Sequence, residues 1–249
     1  MTRTAILIGV PQAPSTVYLK GVKQDLINYK EFLQTPLGGN WESTEIKIFY
    51  PKPTKKQIID YLNVVDADFT FLVFSGHGFI DVNEVTNVCL MDDDITEYEL
   101  ETISPRQTII LDSCRTPLEV IEEQIFMEKL AKALAIRGKS TRKIFDDAVF
   151  SCEKGTITVY SVGVNEEAGE HPSHGGYFTQ SMLEAATNWE DVGLKSVLNV
   201  NEAFLRAKKI LVKYTKKQHP QINTGRRLHM FPFAVKRQPV KSLIELGFR

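Results

Sequence analysis

The sequence predicts an α/β fold in which a mainly parallel, six-stranded sheet carries helices on both faces. Continuous apolar runs, such as Ala5 to Val10 and Phe69 to Phe74, are typical of strands that are covered on both sides. Segments with apolar residues at steps of three and four separate these runs, as in amphipathic helices. Strands that alternate with helices in this way usually form a parallel sheet between two helical layers.

The first elements follow this alternation in order. After the strand at 5–10, helical spacing of apolar residues predicts a helix that ends before Pro36. Glu45 to Tyr50 form the second strand. Thr54 and Gln57 fit a capping box, in which two side chains satisfy N–H groups at a helix start, so a second helix begins there.

The remaining elements complete the sheet. Phe69 to Phe74 and Thr108 to Leu111 are the third and fourth strands, and Thr156 to Val162 is the fifth. Pro232 would interrupt a central strand, so we predict the sixth at an edge. The other predicted elements are a helix at Leu118 to Ile136, an exposed basic break at Arg137 to Lys143, helices at Gly176 to Ala186 and Asn201 to Tyr214, and the sixth strand at His229 to Val235.

Composition narrows the class of protein. The 30 basic and 31 acidic residues nearly balance, so the chain lacks the basic excess expected of a nucleic-acid partner. Its three cysteines have no paired spacing, which indicates a reducing compartment rather than a disulfide framework or zinc site. No apolar run is long enough to span a bilayer or act as a signal peptide. We expect a cytoplasmic protein without a membrane partner.

Reactive residues follow the third and fourth strands directly. The third strand runs into Ser-Gly-His77-Gly78, and the fourth runs into Asp-Ser-Cys114-Arg115. In open α/β sheets, active sites lie beyond the carboxyl ends of the strands. A thiol attacks as thiolate, and a nearby imidazole can take its proton and later protonate the leaving amine. Cys114 is therefore the candidate nucleophile and His77 its acid and base, with backbone N–H groups of Gly78 and Cys114 as the oxyanion hole.

The two motifs, FLVFSGHG and IILDSCR, resemble the histidine and cysteine signatures of clan CD cysteine peptidases, the caspases and metacaspases. Further stretches are similar to this family: LKGVKQDL, VYSVGVNEEAGE and GGYFTQSML. The cysteine motif departs from the family after Arg115, where Thr116 and Pro117 follow. The resemblance implies a three-layer caspase-like domain over 1–249, with a large-subunit-like region at 1–136, a linker at about 137–155 and a small-subunit-like region at 156–249. It implies an endopeptidase acting on a protein or peptide, among them a defence or cell-death effector, with self-cleavage in the linker.

The resemblance also suggests how the residue before the scissile bond is bound. In metacaspases, aspartates at the positions matching Asp25 and Asp112 form the floor of an acidic pocket, the S1 pocket. Asp112 lies two residues before Cys114 and faces the same side of the strand. Glu166 and Glu167 are candidates for its negative rim. Carboxylates there would favour Arg or Lys. The alternative is that both aspartates only bond local backbone.

Two alternatives remain beside this hypothesis. The acidic residues Asp92 to Asp94 and Glu97 to Glu99 lie where relatives bind calcium; we favour a solvated turn and expect no required cofactor or metal, with calcium as the alternative. The protein could also be a catalytically silent, caspase-like regulator or scaffold. A flavodoxin-like binding domain is disfavoured, because the loop after the first strand lacks phosphate-binding glycines.

Overall fold

The computed structural model describes residues 1–117, 139–189 and 195–237. The predicted helix at Leu118 to Ile136 therefore lies outside the described residues. In chain order the elements are β1 (Arg3–Val10), α1 (Val22–Gln34), β2 (Ile46–Phe49), α2 (Lys55–Leu62), β3 (Phe69–Gly76), β4 (Gly78–Ile80), β5 (Thr86–Cys89), β6 (Asp94–Thr96), β7 (Arg106–Asp112), α3 (Lys139–Phe150), β8 (Gly155–Tyr160), β9 (Glu170–His171), β10 (Gly175–Gly176), α4 (Tyr177–Thr187), β11 (Val197–Asn199), α5 (Val200–Leu211), β12 (Gln221–Asn223) and β13 (Pro232–Val235).

The central sheet has six strands in the order β12-β8-β7-β3-β1-β2. All neighbouring pairs are parallel except β12 with β8, so the predicted mainly parallel, six-stranded sheet is confirmed. The position predicted for the sixth strand was wrong. Pro232–Val235 pairs with Val197–Asn199 in a separate two-stranded sheet, and the edge strand of the central sheet is Gln221–Asn223.

Side chains alternate between the two faces of the sheet and bury two cores. On one face, residues of β1 and β3 such as Leu7 and Phe71 pack with α1, α3, α4 and α5. On the other face, alternate residues such as Ile8 and Phe74 pack with α2 and with the strands β5 and β6. The predicted capping box of Thr54 and Gln57 opens α2. Among the helices in the described ranges, none is long and apolar enough to cross a membrane.

The predicted linker at about 137–155 contains a helix. Residues Lys139–Phe150 form α3, and Phe145 and Val149 are buried in the same core cluster as Leu7 and Phe71. The expectation of an exposed basic break at Arg137 to Lys143 was therefore wrong from residue 139 onward. Phe145 and Val149, four positions apart, give this segment a buried stripe, which the basic residues before them obscured.

A small sheet follows the third strand immediately. Strands β4, β5 and β6 form an antiparallel meander that begins at Gly78, one residue after His77. The sequence did not predict it, because its strands are only three or four residues long. Its position matters for the site: the chain leaves the central sheet at His77 and enters a second ladder at once, so the backbone on both sides of His77 is held by strand pairing.

Candidate active site

The register of the central sheet aligns the two motifs. Ser75 on β3 lies opposite Asp112 on β7, an offset of 37 residues. The same offset separates His77 from Cys114, so each follows its paired strand end by two residues. Adjacent strands are about 4.8 Å apart, and both residues therefore leave the same edge of the sheet side by side.

The ring of His77 is oriented by a backbone carbonyl. Its Nε2 lies 2.8 Å from the carbonyl oxygen of Val17, in the loop after β1. A carbonyl can only accept, so Nε2 carries the proton and Nδ1 is the nitrogen that can take another. The residue is 5 % exposed. This burial lowers the pKa of His77, and the bond to Val17 raises it in part, so burial favours the neutral imidazole in the free protein.

The thiol of Cys114 is held by a backbone amide. The Ala168 N–H donates to Cys114 Sγ at 3.3 Å. Burial raises the pKa of the thiol to about 11, the Ala168 N–H lowers it, and the charges of Glu167 and Asp112 raise it. In the part of the chain that the structure describes, no hydrogen bond joins this thiol to His77. Such bonds are often long in free enzymes and tighten when substrate binds.

The N–H of Gly78 is directed toward the segment after the cysteine. Cys89 N–H donates to the His77 carbonyl at 3.0 Å, so these two residues form a hydrogen-bonded pair of the β4–β5 ladder. Gly78 occupies the next, non-hydrogen-bonded pair, whose N–H points away from β5. On that outer edge Ile80 N–H donates to the Thr116 carbonyl at 3.3 Å. The Gly78 N–H is thus available on the side where the fourth strand ends.

No larger residue fits at position 78. A Cβ atom there would lie 2.7 Å from Ser113 Oγ and 2.8 Å from the Asn87 carbonyl oxygen, closer than such contacts allow. The close approach explains the glycine after His77 better than a turn does, because the backbone of Gly78 lies in strand β4. The strand ends can therefore pack against each other with only a hydrogen atom between them.

Asp25 and Asp112 lie close together, and both are deeply buried. Asp25 is 2 % exposed and accepts from Ser75 Oγ at 2.6 Å and Gly176 N–H at 2.8 Å. Asp112 accepts from the N–H and the hydroxyl of Thr179. Burial first, and then the charge of Asp112, raise the pKa of Asp25 well above its ordinary value. Burial also raises the pKa of Asp112.

Two glycines make room for these carboxylates. A Cβ atom on Gly175 would lie 2.0 Å from an oxygen of Asp25, and one on Gly176 would lie 2.5 Å from an oxygen of Asp112. Gly175 also has a φ of +96°, which side chains disfavour. The Gly-Gly pair before α4 therefore lets the helix start approach both acids. The sequence flagged this pair only through the family resemblance.

The two glutamates proposed for the rim differ. Glu166 accepts from the N–H groups of Gly163 and His219 and lies 2.6 Å from the His219 ring. Its carboxylate therefore ties the loop after β8 to the segment that precedes β12. It is a structural residue in this arrangement rather than a free rim charge. Glu167 is close enough to raise the pKa of Cys114 and remains the rim candidate.

The acidic cluster after β5 is already occupied by protein groups. Lys55 lies 3.4 Å from Asp93 and 3.3 Å from Glu99. Glu97 was expected in a solvated turn, but it is buried and accepts from the Tyr160 hydroxyl. Within the described ranges, no three His, Cys, Asp or Glu residues are arranged to hold a metal ion.

Arg115, the residue after the nucleophile, points into the protein, where its Nε donates to Thr86.

Three residues of the site escaped the sequence analysis. Val17 and Ala168 act through backbone groups, which leave no mark on residue type. Glu170 accepts from the N–H groups of Lys20 and Gly21, at 2.8 and 3.1 Å. Its acidic side chain was visible, but its partner segment lies 150 residues away in the sequence. Only the fold brings them together.

Comparison with known proteins identifies the family and the fold of the chain. A family model described as the caspase domain matches residues 2–231. Among solved structures, the chain resembles caspase-1 from Spodoptera frugiperda with a TM-score of 0.62, over 96 % of this chain and 92 % of that one. The sequence identity is 14 %, so this likeness concerns the fold alone. No curated protein matches the chain.

Proposed function

Because the chain belongs to the caspase-domain family of cysteine peptidases, we propose that it is an active endopeptidase with Cys114 as nucleophile and His77 as acid and base. The observation that carries this proposal is the shared offset of 37 residues, which puts both residues beyond the paired ends of β3 and β7. A catalytically silent scaffold would have no need of this alignment or of an oriented imidazole.

The proton path follows from the hydrogen bonds of the imidazole. With Nε2–H held by the Val17 carbonyl, Nδ1 of His77 accepts the thiol proton as Cys114 Sγ attacks the substrate carbonyl. The resulting imidazolium then protonates the leaving amine, and the C–N bond breaks to leave a thioester on Cys114. Water, deprotonated by His77, hydrolyses the thioester and releases the carboxylic acid.

The developing oxyanion would be stabilised by backbone N–H groups. The outward direction of the Gly78 N–H, together with the N–H of Cys114, supports a two-donor oxyanion hole. Donors of this kind typically contribute about 3–4 kcal/mol each to transition-state stabilisation. Gly78 meets two requirements, because it allows the close approach of the strand ends and leaves its N–H unshielded.

The acidic pair supports cleavage after Arg or Lys. Asp25 lies beside Asp112, and the charges of Asp112 and Glu167 both act on the Cys114 thiol. A guanidinium would stabilise both buried carboxylates in their charged form and could bind them through two parallel hydrogen bonds. Burial raises the pKa of Asp25, which supports the proposal because a cationic partner would favour its charged form.

Fluorogenic peptides that differ only in the residue before the cut test the proposal. The wild type should cleave after Arg and Lys and very weakly after Asp. Cys114→Ala should abolish turnover, His77→Ala should reduce it by many powers of ten, and the double variant should be little worse than either, because the two act as a unit. Cys89→Ala, a thiol on the neighbouring strand, is the matched control. Full activity of Cys114→Ala would refute the assignment.

A further inference from the structure

The segment Ala168 to Glu170 contacts Cys114 and also the loop that bonds His77. The Ala168 N–H reaches the Cys114 sulfur at 3.3 Å. Two residues later, the Glu170 carboxylate accepts from the N–H groups of Lys20 and Gly21. Those two residues end the loop that presents the Val17 carbonyl to His77. The residues at the start of β9 therefore contact the nucleophile directly and the base through the loop.

The loop after β1 has few other anchors. It returns on itself through Leu19 N–H, which donates to the Pro11 carbonyl at 2.7 Å, and through the Thr16 hydroxyl, which bonds Ala13. These bonds lie within the loop, and a side-chain hydrogen bond between Tyr18 and Tyr50 adds one anchor outside it. Glu170 fixes it to the opposite half of the chain, at the end nearest α1.

The glutamate also supplies a cap that α1 lacks. Gly21 is the N-cap residue of α1 and has no side chain to accept from the first N–H groups. The Glu170 carboxylate accepts at that end instead, where negative charge is favoured by the helix dipole. Packing is tight there: a Cβ atom on Gly21 would lie 2.9 Å from a Glu170 oxygen.

We propose that Glu170 is a positioning residue for the reaction, because its carboxylate holds the loop that presents the Val17 carbonyl to His77. Loss of the carboxylate releases the loop, and the imidazole loses the bond that fixes its tautomer and its direction toward Cys114. The inference rests on the proposed function of His77 and Cys114. It concerns a residue that touches neither substrate nor sulfur.

Alkylation of Cys114 by iodoacetamide tests this without a substrate. Peptide hydrolysis alone would mix two effects, since Glu170 also contributes to the raised pKa of Asp25. In a Cys89→Ser, Cys152→Ser background, the rate is measured at pH 7 for the parent, Glu170→Ala, His77→Ala and the double variant. We expect Glu170→Ala to slow alkylation about tenfold with His77 present and to have no effect once His77 is removed.

Conservative and control variants separate positioning from general damage. Glu170→Gln keeps one accepting oxygen and should restore part of the rate, while Glu31→Ala, an exposed glutamate on α1, should change nothing. Equal slowing by Glu170→Ala with and without His77, or no slowing at all, overturns the inference. If His77→Ala itself leaves alkylation unchanged, the proposed dyad fails instead. Thermal denaturation of each variant shows whether a change in the alkylation rate comes from unfolding.

Discussion

Asp25 and Asp112 accept hydrogen bonds from the same turn of α4: the Gly176 N–H donates to Asp25 at 2.8 Å, and the Thr179 N–H donates to Asp112 at 3.1 Å. The positive end of the helix dipole stabilises the two carboxylates there, but burial still raises the pKa of each. In the proposed S1 pocket, the charged form of both carboxylates would therefore be unfavourable until a cationic side chain binds. This unfavourable charge affects both specificity and stability.

The effect on specificity depends on pH. If Asp25 forms the proposed pocket, it should bind a basic substrate best when ionised, so kcat/KM for an Arg substrate should rise as the pH increases through its raised pKa, well above 3.8. The ratio of kcat/KM for Arg over its uncharged analogue citrulline cancels the titration of Cys114 and His77. This ratio should increase with pH in the wild type. In Asp25→Asn it should be at least about tenfold lower at neutral pH, since a charge-assisted contact is lost. An unchanged ratio in this variant would contradict the acidic pocket.

Whereas binding of an Arg substrate should improve as the pH rises, the contribution of Asp25 to the stability of the fold should decrease. A carboxyl whose pKa is raised on folding stabilises the folded state most below its unfolded pKa, and this contribution is lost as the pH rises through the folded value. Asp25→Asn removes the titration and can keep both neighbours, accepting from Gly176 and donating to Ser75. Urea denaturation should find the variant about 1–2 kcal/mol more stable than the wild type at pH 8, with a smaller difference at pH 4. A destabilised variant at pH 8 would show that the charged form is well compensated.

Gly175→Ala should damage both the fold and the pocket. The added methyl would meet Asp25 at 2.0 Å, and the φ of +96° is unfavourable for alanine. Gly225→Ala is the control, because it has a φ of +59° and nothing within 4 Å of the added atom. We expect about 1 kcal/mol of destabilisation at 225 from backbone strain, and about 1–3 kcal/mol more at 175 from the collision. Denaturant melts measure both, and equal losses would argue against the close approach.

Replacing Arg115 should lower the stability of the fold and leave substrate specificity unchanged. It lies beside the nucleophile, yet its guanidinium donates to Gln221 at 2.7 Å and stacks 4.2 Å from the Tyr160 ring. Arg115→Met should lower the free energy of unfolding by about 2–4 kcal/mol, because the buried Thr86 hydroxyl loses its donor and the bond to Gln221 is lost as well. The preference for Arg and Lys should persist in peptide profiles. A gain or loss of cleavage after Asp would place Arg115 in the pocket instead.

Self-cleavage remains a prediction for the interval from Arg137 to Lys154, and the structure restricts where it can occur. Helix α3 buries Phe145 and Val149, so a cut inside Lys139–Phe150 would require the helix to unfold. Mass spectrometry of the purified protein should find no terminus within the helix. Lys154, exposed in the turn after it, is the accessible basic residue outside the helix in the described portion of this interval.

The sequence was informative wherever side chains repeat with a period or carry reactive groups. It located the apolar strands, the capping box at Thr54 and the residues His77, Cys114, Asp25 and Asp112. It missed Gln221–Asn223, a strand of three residues with one apolar side chain, which pairs only because β8 offers an open edge. It also missed groups that act through the backbone, such as the Val17 carbonyl, since any residue type can supply them.

The pairing of β7 with β8 joins two portions of the chain that each hold half of the site. Asp25, His77 and Cys114 precede residue 118, whereas Ala168, Gly176 and Thr179 follow residue 138. Six residue pairs, from Arg106 with Gly155 to Leu111 with Tyr160, connect the two portions. A chain break between 117 and 139 would leave every one of these contacts in place. The two portions could therefore be expressed as separate polypeptides, each inert alone, and catalysis would then report on whether fused partners bring them together.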